Sequence, residues 1–128
     1  MDIEADILEI DALVEKAKQV QAFYEAQGSQ KTFDLACQAV AWALMKPEHN
    51  SSLSKLAVQK TGLGNAADKT RKNHNKTLGL LRDLKAVTAF GHVEDNAETG
   101  LSTYLRPKGV IAAIVPSTNP LATPVNNI

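Results

Sequence analysis

Apolar residues recur at spacings of four and three through the first part of the chain. Ile3, Ile7, Ile10, Val14 and Ala17 fall on one face, which predicts an amphipathic helix from Asp2 to Gln27. Acidic residues crowd its first turns, where the helix dipole favours negative charge, and Gly28 is a natural stop. Ser29 is placed to cap a second helix carrying Phe33, Cys37, Val40 and Leu44, ended by Pro47. His49-Asn50-Ser51-Ser52 reads as a polar loop, and a short third helix starts at Asn50 or Ser51 and runs through Leu53, Leu56 and Ala57. It stops at Thr61-Gly62-Leu63-Gly64, whose glycines tolerate a positive φ. A fourth helix is predicted from Asn65 or Ala66 to about Phe90, with Leu80, Leu81, Leu84 and Val87 on its apolar side.

The period then changes. Gly91 and Gly100 bracket a polar, acidic connection, after which Leu101, Thr103 and Leu105 alternate with Ser102, Tyr104 and Arg106, the pattern of a half-exposed strand. Pro107-Lys108-Gly109 is turn material, and the six apolar residues from Val110 to Val115 form an uninterrupted run, as in a strand buried on both faces. Pro116 ends the run. Thr118 or Asn119 is placed to cap a following helix, with Pro120 at its first position, so the segment reads as the opening of a βα unit. A lone buried strand cannot satisfy its own ladder, so more chain is expected after Ile128. The class is α/β: helices first, then strands entering a sheet, cut short.

Composition adds limits. The 128 residues carry 44% hydrophobic and 22% charged residues, values of an ordinary globular domain. The net charge of zero argues against a general role on nucleic acid or anionic membranes, and no apolar run is long enough to span a bilayer. The acidic N-terminus lacks the features of a signal peptide, and the single cysteine, Cys37, suits a reducing cytoplasm and forms no internal disulfide. On its apolar stripe Cys37 reads as a small hydrophobe. Charge is uneven: residues 1–27 hold seven acids and two bases, residues 55–85 eight bases and two acids. Two solvated helix faces of opposite sign account for this, and the cluster Lys69, Arg71, Lys72, His74 and Lys76 reads as one of them; attraction of a phosphate-bearing ligand is the alternative. His49 and His92 stand in loops without a cysteine at ligand spacing, so no metal site is expected. Trp42 and Tyr24 fit helix packing.

Three segments, in order, resemble the coenzyme A-acylating branch of the aldehyde dehydrogenase superfamily. Arg106-Pro107-Lys108-Gly109-Val110-Ile111-Ala112-Ala113-Ile114-Val115-Pro116 is similar to that family's "P-x-G-V-I-x-x-I-V-P" strand into its NAD-binding domain. Pro116-Ser117-Thr118-Asn119-Pro120 is similar to the "P-[ST]-T-N-P" of acylating enzymes, where non-acylating relatives usually show "P-W-N-x-P". Ala57-Val58-Gln59-Lys60-Thr61-Gly62-Leu63-Gly64, with Asp68-Lys69 and Lys72-Asn73-His74 following, resembles the "A-x-x-x-[ST]-G-[ML]-G…D-K…K-N-H" of the acetaldehyde dehydrogenase domain in bifunctional aldehyde/alcohol dehydrogenases. Ser117 and the Ala122-Thr123-Pro124-Val125-Asn126-Asn127 continuation look more like sulfoacetaldehyde dehydrogenases.

The resemblance implies an amino-terminal piece of an oxidoreductase with an aldehyde dehydrogenase-type, Rossmann-like domain. Residues 1–98 would be its helical part, and residues 99–128 an edge strand plus the first, incomplete βα unit. In the implied chemistry a cysteine thiolate attacks a short aldehyde, hydride passes to NAD(P), and the resulting thioester is released by coenzyme A. The aldehyde would be sulfoacetaldehyde, acetaldehyde or succinate semialdehyde. Cys37 lies far upstream of the expected nucleophile, so no catalytic residue is expected in this chain and the chain alone is expected to be inactive. Ile114, Val115, Pro116, Ser117, Thr118 and Asn119 match the segment lining the cofactor pocket, with Thr118 and Asn119 as contributors to the oxyanion site; the plainer reading has them only capping the next helix. Partners implied are the aldehyde, coenzyme A and further copies in a homo-oligomer. The competing reading is a helical interaction module without chemistry.

Overall fold

A computed structural model describes residues 3–128, and Asp2, the expected start of the first helix, lies outside the described residues. The chain runs as α1 (Ile3–Gln27), α2 (Gln30–Met45), α3 (Pro47–Thr61), α4 (Ala66–Leu84), β1 (Gly91–Asn96), β2 (Leu101–Leu105) and α5 (Ala122–Asn127). Helices followed by strands is the order expected. The described residues form two compact units, one of residues 3–30 and 88–112, the other of Lys31–Val87 and Ala113–Ile128.

In the first unit α1 ends at Gln27 as predicted, but its apolar stripe is not a core face. Ile3, Ile7, Ile10 and Val14 are exposed and only Ala17 is half-buried. The stripe lacks a layer to bury it, and amphipathic periodicity reports the need for one, not its presence. Near the C-terminal half of α1, Val14, Lys18 and Gln21 line a cleft with Pro107, Gly109 and Val110.

The acidic connection between Gly91 and Gly100 contains an element the alternation did not reveal. Residues Gly91–Asn96 form β1, antiparallel to β2, with Gly91 opposite Leu105 and Asn96 opposite Leu101; a bulge interrupts the register between His92 and Glu94. The turn is set by Asn96. Its side chain accepts from the N–H of Glu98 and of Thr99, both at 3.0 Å, and its carbonyl from Gly100 at 2.8 Å. Gly100 closes the turn at φ 68°, a conformation other residues adopt at a cost. Both strands are solvent-exposed apart from Gly91, so β2 is more exposed than its half-apolar pattern suggested.

Polar side chains hold the hairpin. Asp95 Oδ1 accepts from the Ser102 hydroxyl at 2.6 Å and faces His92 Nε2 at 2.9 Å, while the His92 and Tyr104 rings meet edge-to-face at 5.1 Å. Ser102 first, and His92 second, hold the Asp95 carboxyl below its ordinary value of 3.8. Since the folded-state value is depressed, the stabilisation is present above the ordinary value and lost as pH falls through the lowered one. An NMR titration of the Asp95 carboxyl should show this, and Ser102→Ala should return it toward the ordinary value; an unmoved titration in that variant would contradict the assignment.

The second unit centres on α4. α3 and α5 both pack against α4, and the buried apolar residues are Ala41 and Leu44 of α2, Ala57 of α3 and Ala122 of α5. α3 begins earlier than its polar composition suggested. His49-Asn50-Ser51-Ser52 is helical, because Pro47 sits at the first helical position, where its missing N–H costs nothing and its fixed φ favours the helix. α3 ends at Gly62, left-handed at φ 68°, whose N–H bonds the Val58 carbonyl at 2.8 Å. Asn65 caps α4 by accepting the Asp68 N–H at 2.8 Å. α4 stops at Leu84, short of the expected Phe90; Lys85 leaves the helix in extended geometry and Ala86 takes a positive φ of 70°.

The largest departure lies in the C-terminal segment. Val110–Val115 belongs to no strand, pairs with none among the described residues, and is exposed; Ile114 is 97% accessible. A six-residue apolar run needs neighbours on both sides for its ladder and cover on both faces. The strands described pair with each other, and the run joins neither of their free outer edges.

Candidate functional site

The site predicted from sequence is residues 114–119, and the structure brings only part of it against other elements. Ile114 and Val115, expected to be core at a strand end, are exposed, as are Pro116, Ser117 and Thr118; Asn119 is half-buried. Residues 117–121 form a turn in place of the expected helix start. α5 begins at Ala122 with Leu121 at the cap position and no side-chain cap bond, so neither Thr118 nor Asn119 caps it and Pro120 precedes it. The chain between Pro116 and Leu121 spends its backbone groups on the turn: the Asn119 N–H donates to Pro116 at 3.0 Å and the Asn119 carbonyl accepts from Thr123 at 3.4 Å.

This turn meets the distant Asp68-Lys69…Lys72-Asn73 block. Lys69 and Lys72, one turn apart on α4, both direct their ammonium groups at the Thr118 carbonyl oxygen, at 3.5 and 3.2 Å. With Leu63, Gly64, Asn65, Asp68 and Thr118 they line a cleft of about 280 Å³. Lys69 is only 6% exposed, and the reading of the basic cluster as a wholly solvated face is corrected at this residue. Arg71, His74 and Lys76 are exposed as that reading has them. Asp68 is occupied elsewhere, accepting from Asn65 at 2.6 Å and from Arg71 at 2.6 Å. Burying an ammonium against a neutral carbonyl costs free energy that the hydrogen bond offsets only in part.

Behind the lysines lies a buried polar network that sequence reasoning missed. Asn73 Nδ2 donates to Asn50 Oδ1 at 3.0 Å and to Ser54 Oγ at 3.2 Å; Ser54 donates to Asn50 Oδ1 at 3.3 Å; Asn50 Nδ2 donates to the Thr70 carbonyl at 2.9 Å. It ties α3 to α4 and fixes the face that carries Lys69 and Lys72. The available signal was the four-residue spacing of Asn50 with Ser54 and of Lys69, Asn73 and Thr77, two polar stripes that look solvated until the helices are paired.

Among the described residues two buried polar atoms lack a hydrogen-bond partner, Thr77 Oγ1 and Asn119 Oδ1. The second lies in the predicted site, and an unpaired buried acceptor costs about 1–3 kcal/mol, so a donor is called for there. Cys37 is a free, half-buried thiol on a small cavity of about 160 Å³ with Ala41, Thr77, Leu80, Leu81 and Leu84. No group of three or more His, Cys, Asp or Glu among the described residues could hold a metal ion, and no described helix is long and apolar enough to cross a membrane.

This order of elements, with a Pro-Ser-Thr-Asn-Pro turn held against a Lys-bearing helix, accompanies sequence similarity to one enzyme class: the chain is homologous to the amino-terminal part of acylating aldehyde dehydrogenases. It is 50% identical over 119 residues, 93% of its length, to the sulfoacetaldehyde dehydrogenase (acylating) of Cupriavidus necator. It is 40% identical over 110 residues, 86% of its length, to the protein of that name in Bilophila wadsworthia. The bifunctional aldehyde-alcohol dehydrogenase of Escherichia coli is 32% identical over 120 residues, 94% of the chain and 13% of the relative. The chain spans 24% of the length of the first two relatives. No family model matches it.

Proposed function

We propose that the chain is the amino-terminal portion of a cytoplasmic enzyme that oxidises a short aldehyde to its acyl-coenzyme A thioester with NAD(P), and that sulfoacetaldehyde is the aldehyde. Residues 1–98 supply the helical part of that enzyme and residues 99–128 its edge strand and first βα unit. The carrying observation is the 50% identity over 119 residues to an acylating sulfoacetaldehyde dehydrogenase. The nucleophilic cysteine would lie outside this chain, because Cys37 stands on α2, far upstream of the Pro116–Pro120 segment.

Residues 114–119 suit a cofactor pocket in two respects. Ile114 and Val115 offer exposed apolar surface for a ring to cover, and Asn119 carries a buried acceptor without a donor. NAD(P), when bound, supplies the hydride acceptor. Thr118 and Asn119 would orient the substrate carbonyl and stabilise negative charge on its oxygen; Pro116 and Ser117 would line the cofactor's side. Coenzyme A is the acyl acceptor, and exposed apolar surface such as Ile111 is the place for the remaining strands and for further copies of the chain.

The gene decides between this and a helical interaction module. The reading frame should continue past the codon for Ile128 into a Gly-rich βα unit and a downstream cysteine. A stop codon at that point, with a soluble chain that melts cooperatively and ignores nicotinamide nucleotides, would favour the module.

A further inference from the structure

We propose that Lys69 and Lys72 are positioning residues for the Pro116–Pro120 turn, acting through the Thr118 carbonyl to set the orientation of Asn119. The inference rests on the reading of Asn119 as part of the reaction pocket and extends it to two residues 46 and 49 positions earlier than the carbonyl they hold.

The peptide unit between Thr118 and Asn119 is held from both sides. Its carbonyl oxygen has two lone pairs, and two ammonium groups reach it, at 3.5 Å from Lys69 and 3.2 Å from Lys72. Its N–H is bonded to the Pro116 carbonyl at 3.0 Å. The plane of that peptide is therefore fixed, and with it the direction in which the Asn119 side chain leaves the backbone. Lys72 at 3.2 Å makes the closer bond, and Lys69 at 3.5 Å, at the outer limit of a hydrogen bond, adds a nearby positive charge on the same oxygen.

The lysines are committed to this role. Among the described residues neither lies within ion-pair distance of a carboxylate, and Asp68, their neighbour on α4, is held by Asn65 and Arg71. Lys69 is buried, so its ammonium has given up water for the Thr118 carbonyl. Their own placement is rigid as well. Asn73, one turn beyond Lys69, is 2% exposed and locked to Asn50 and Ser54 of α3. The hold thus runs from the α3–α4 network through two lysines to one peptide plane.

The test uses Lys69→Met, Lys72→Met, the double variant, and Lys69→Arg with Lys72→Arg. In the complete protein the double methionine variant should lose roughly 100-fold in kcat, the effect of misplacing a reacting group by about 1 Å, with KM for the aldehyde nearly unchanged. The arginine pair should recover much of the loss. In the complete protein, amide hydrogen exchange at Asn119 should quicken in the double methionine variant while exchange in α3 and α4 stays as before. Wild-type complete protein without acylating activity would overturn the functional reading, and exchange at Asn119 would then decide the positioning role alone. Active wild type with an equally active double variant and unchanged exchange would overturn the positioning role and leave the functional reading standing.

Discussion

Replacing Asn119 by alanine is expected to lower kcat of the complete enzyme by about 10²–10³, the usual loss on removing one oxyanion donor. The expectation follows from where Asn119 stands. Its backbone is bonded through both N–H and carbonyl, the preceding carbonyl is held by Lys69 and Lys72, and its side-chain Nδ2–H is the group that would donate to the oxyanion. The side chain is therefore placed precisely enough to matter and is not consumed by the turn or by capping α5. KM for the aldehyde should change little, because charge on the carbonyl oxygen develops in the transition state and not in the ground state. Steady-state kinetics separate the two parameters. An alanine variant with wild-type kcat would reduce Asn119 to a turn residue.

The second large effect is on stability and belongs to Asn73. Asn73→Ala removes two buried hydrogen bonds and leaves Asn50 Oδ1 with a single donor, Ser54. Each such bond contributes on the order of 1 kcal/mol, and the vacated volume in a side chain's place adds to the loss, so the variant should unfold with about 2–4 kcal/mol less free energy. The apolar core of the second unit is small, limited to Ala41, Leu44, Ala57 and Ala122, so little else compensates. Asn50→Ala should be of similar size, and the double variant should fall short of the sum because both remove the same bond. Urea denaturation followed by helical circular dichroism measures all three. Losses under about 0.5 kcal/mol in the single variants would show that water, and not the network, satisfies these groups.

What the sequence made legible follows from which forces act locally. The end of α1 and the start of α4 were readable because the stop at Gly28 and the cap at Asn65 are written within a residue or two of them. α3 was misjudged at its start because Pro47 ends one helix and opens the next, and the two meanings share one residue. β1 was missed because its polar sequence, Gly-His-Val-Glu-Asp-Asn, carries no alternation; pairing with β2 and the Asn96 turn make it a strand. Val110–Val115 erred in the opposite sense. Its composition describes the surroundings it needs, and the described residues provide no partner strand. The site divides the same way. Thr118 and Asn119 were visible as a motif, and Asp68-Lys69 with Lys72-Asn73 as another, but that the two motifs meet at one carbonyl oxygen is a tertiary fact with no local signature.

The most direct measurement follows nicotinamide reduction and thioester formation by the complete protein with sulfoacetaldehyde, with and without coenzyme A. The account predicts that NAD(P)H and the acyl-coenzyme A product appear together, in equal amounts and only when coenzyme A is present. Release of the free acid at the same rate without coenzyme A, or no nicotinamide reduction with any short aldehyde, would contradict it.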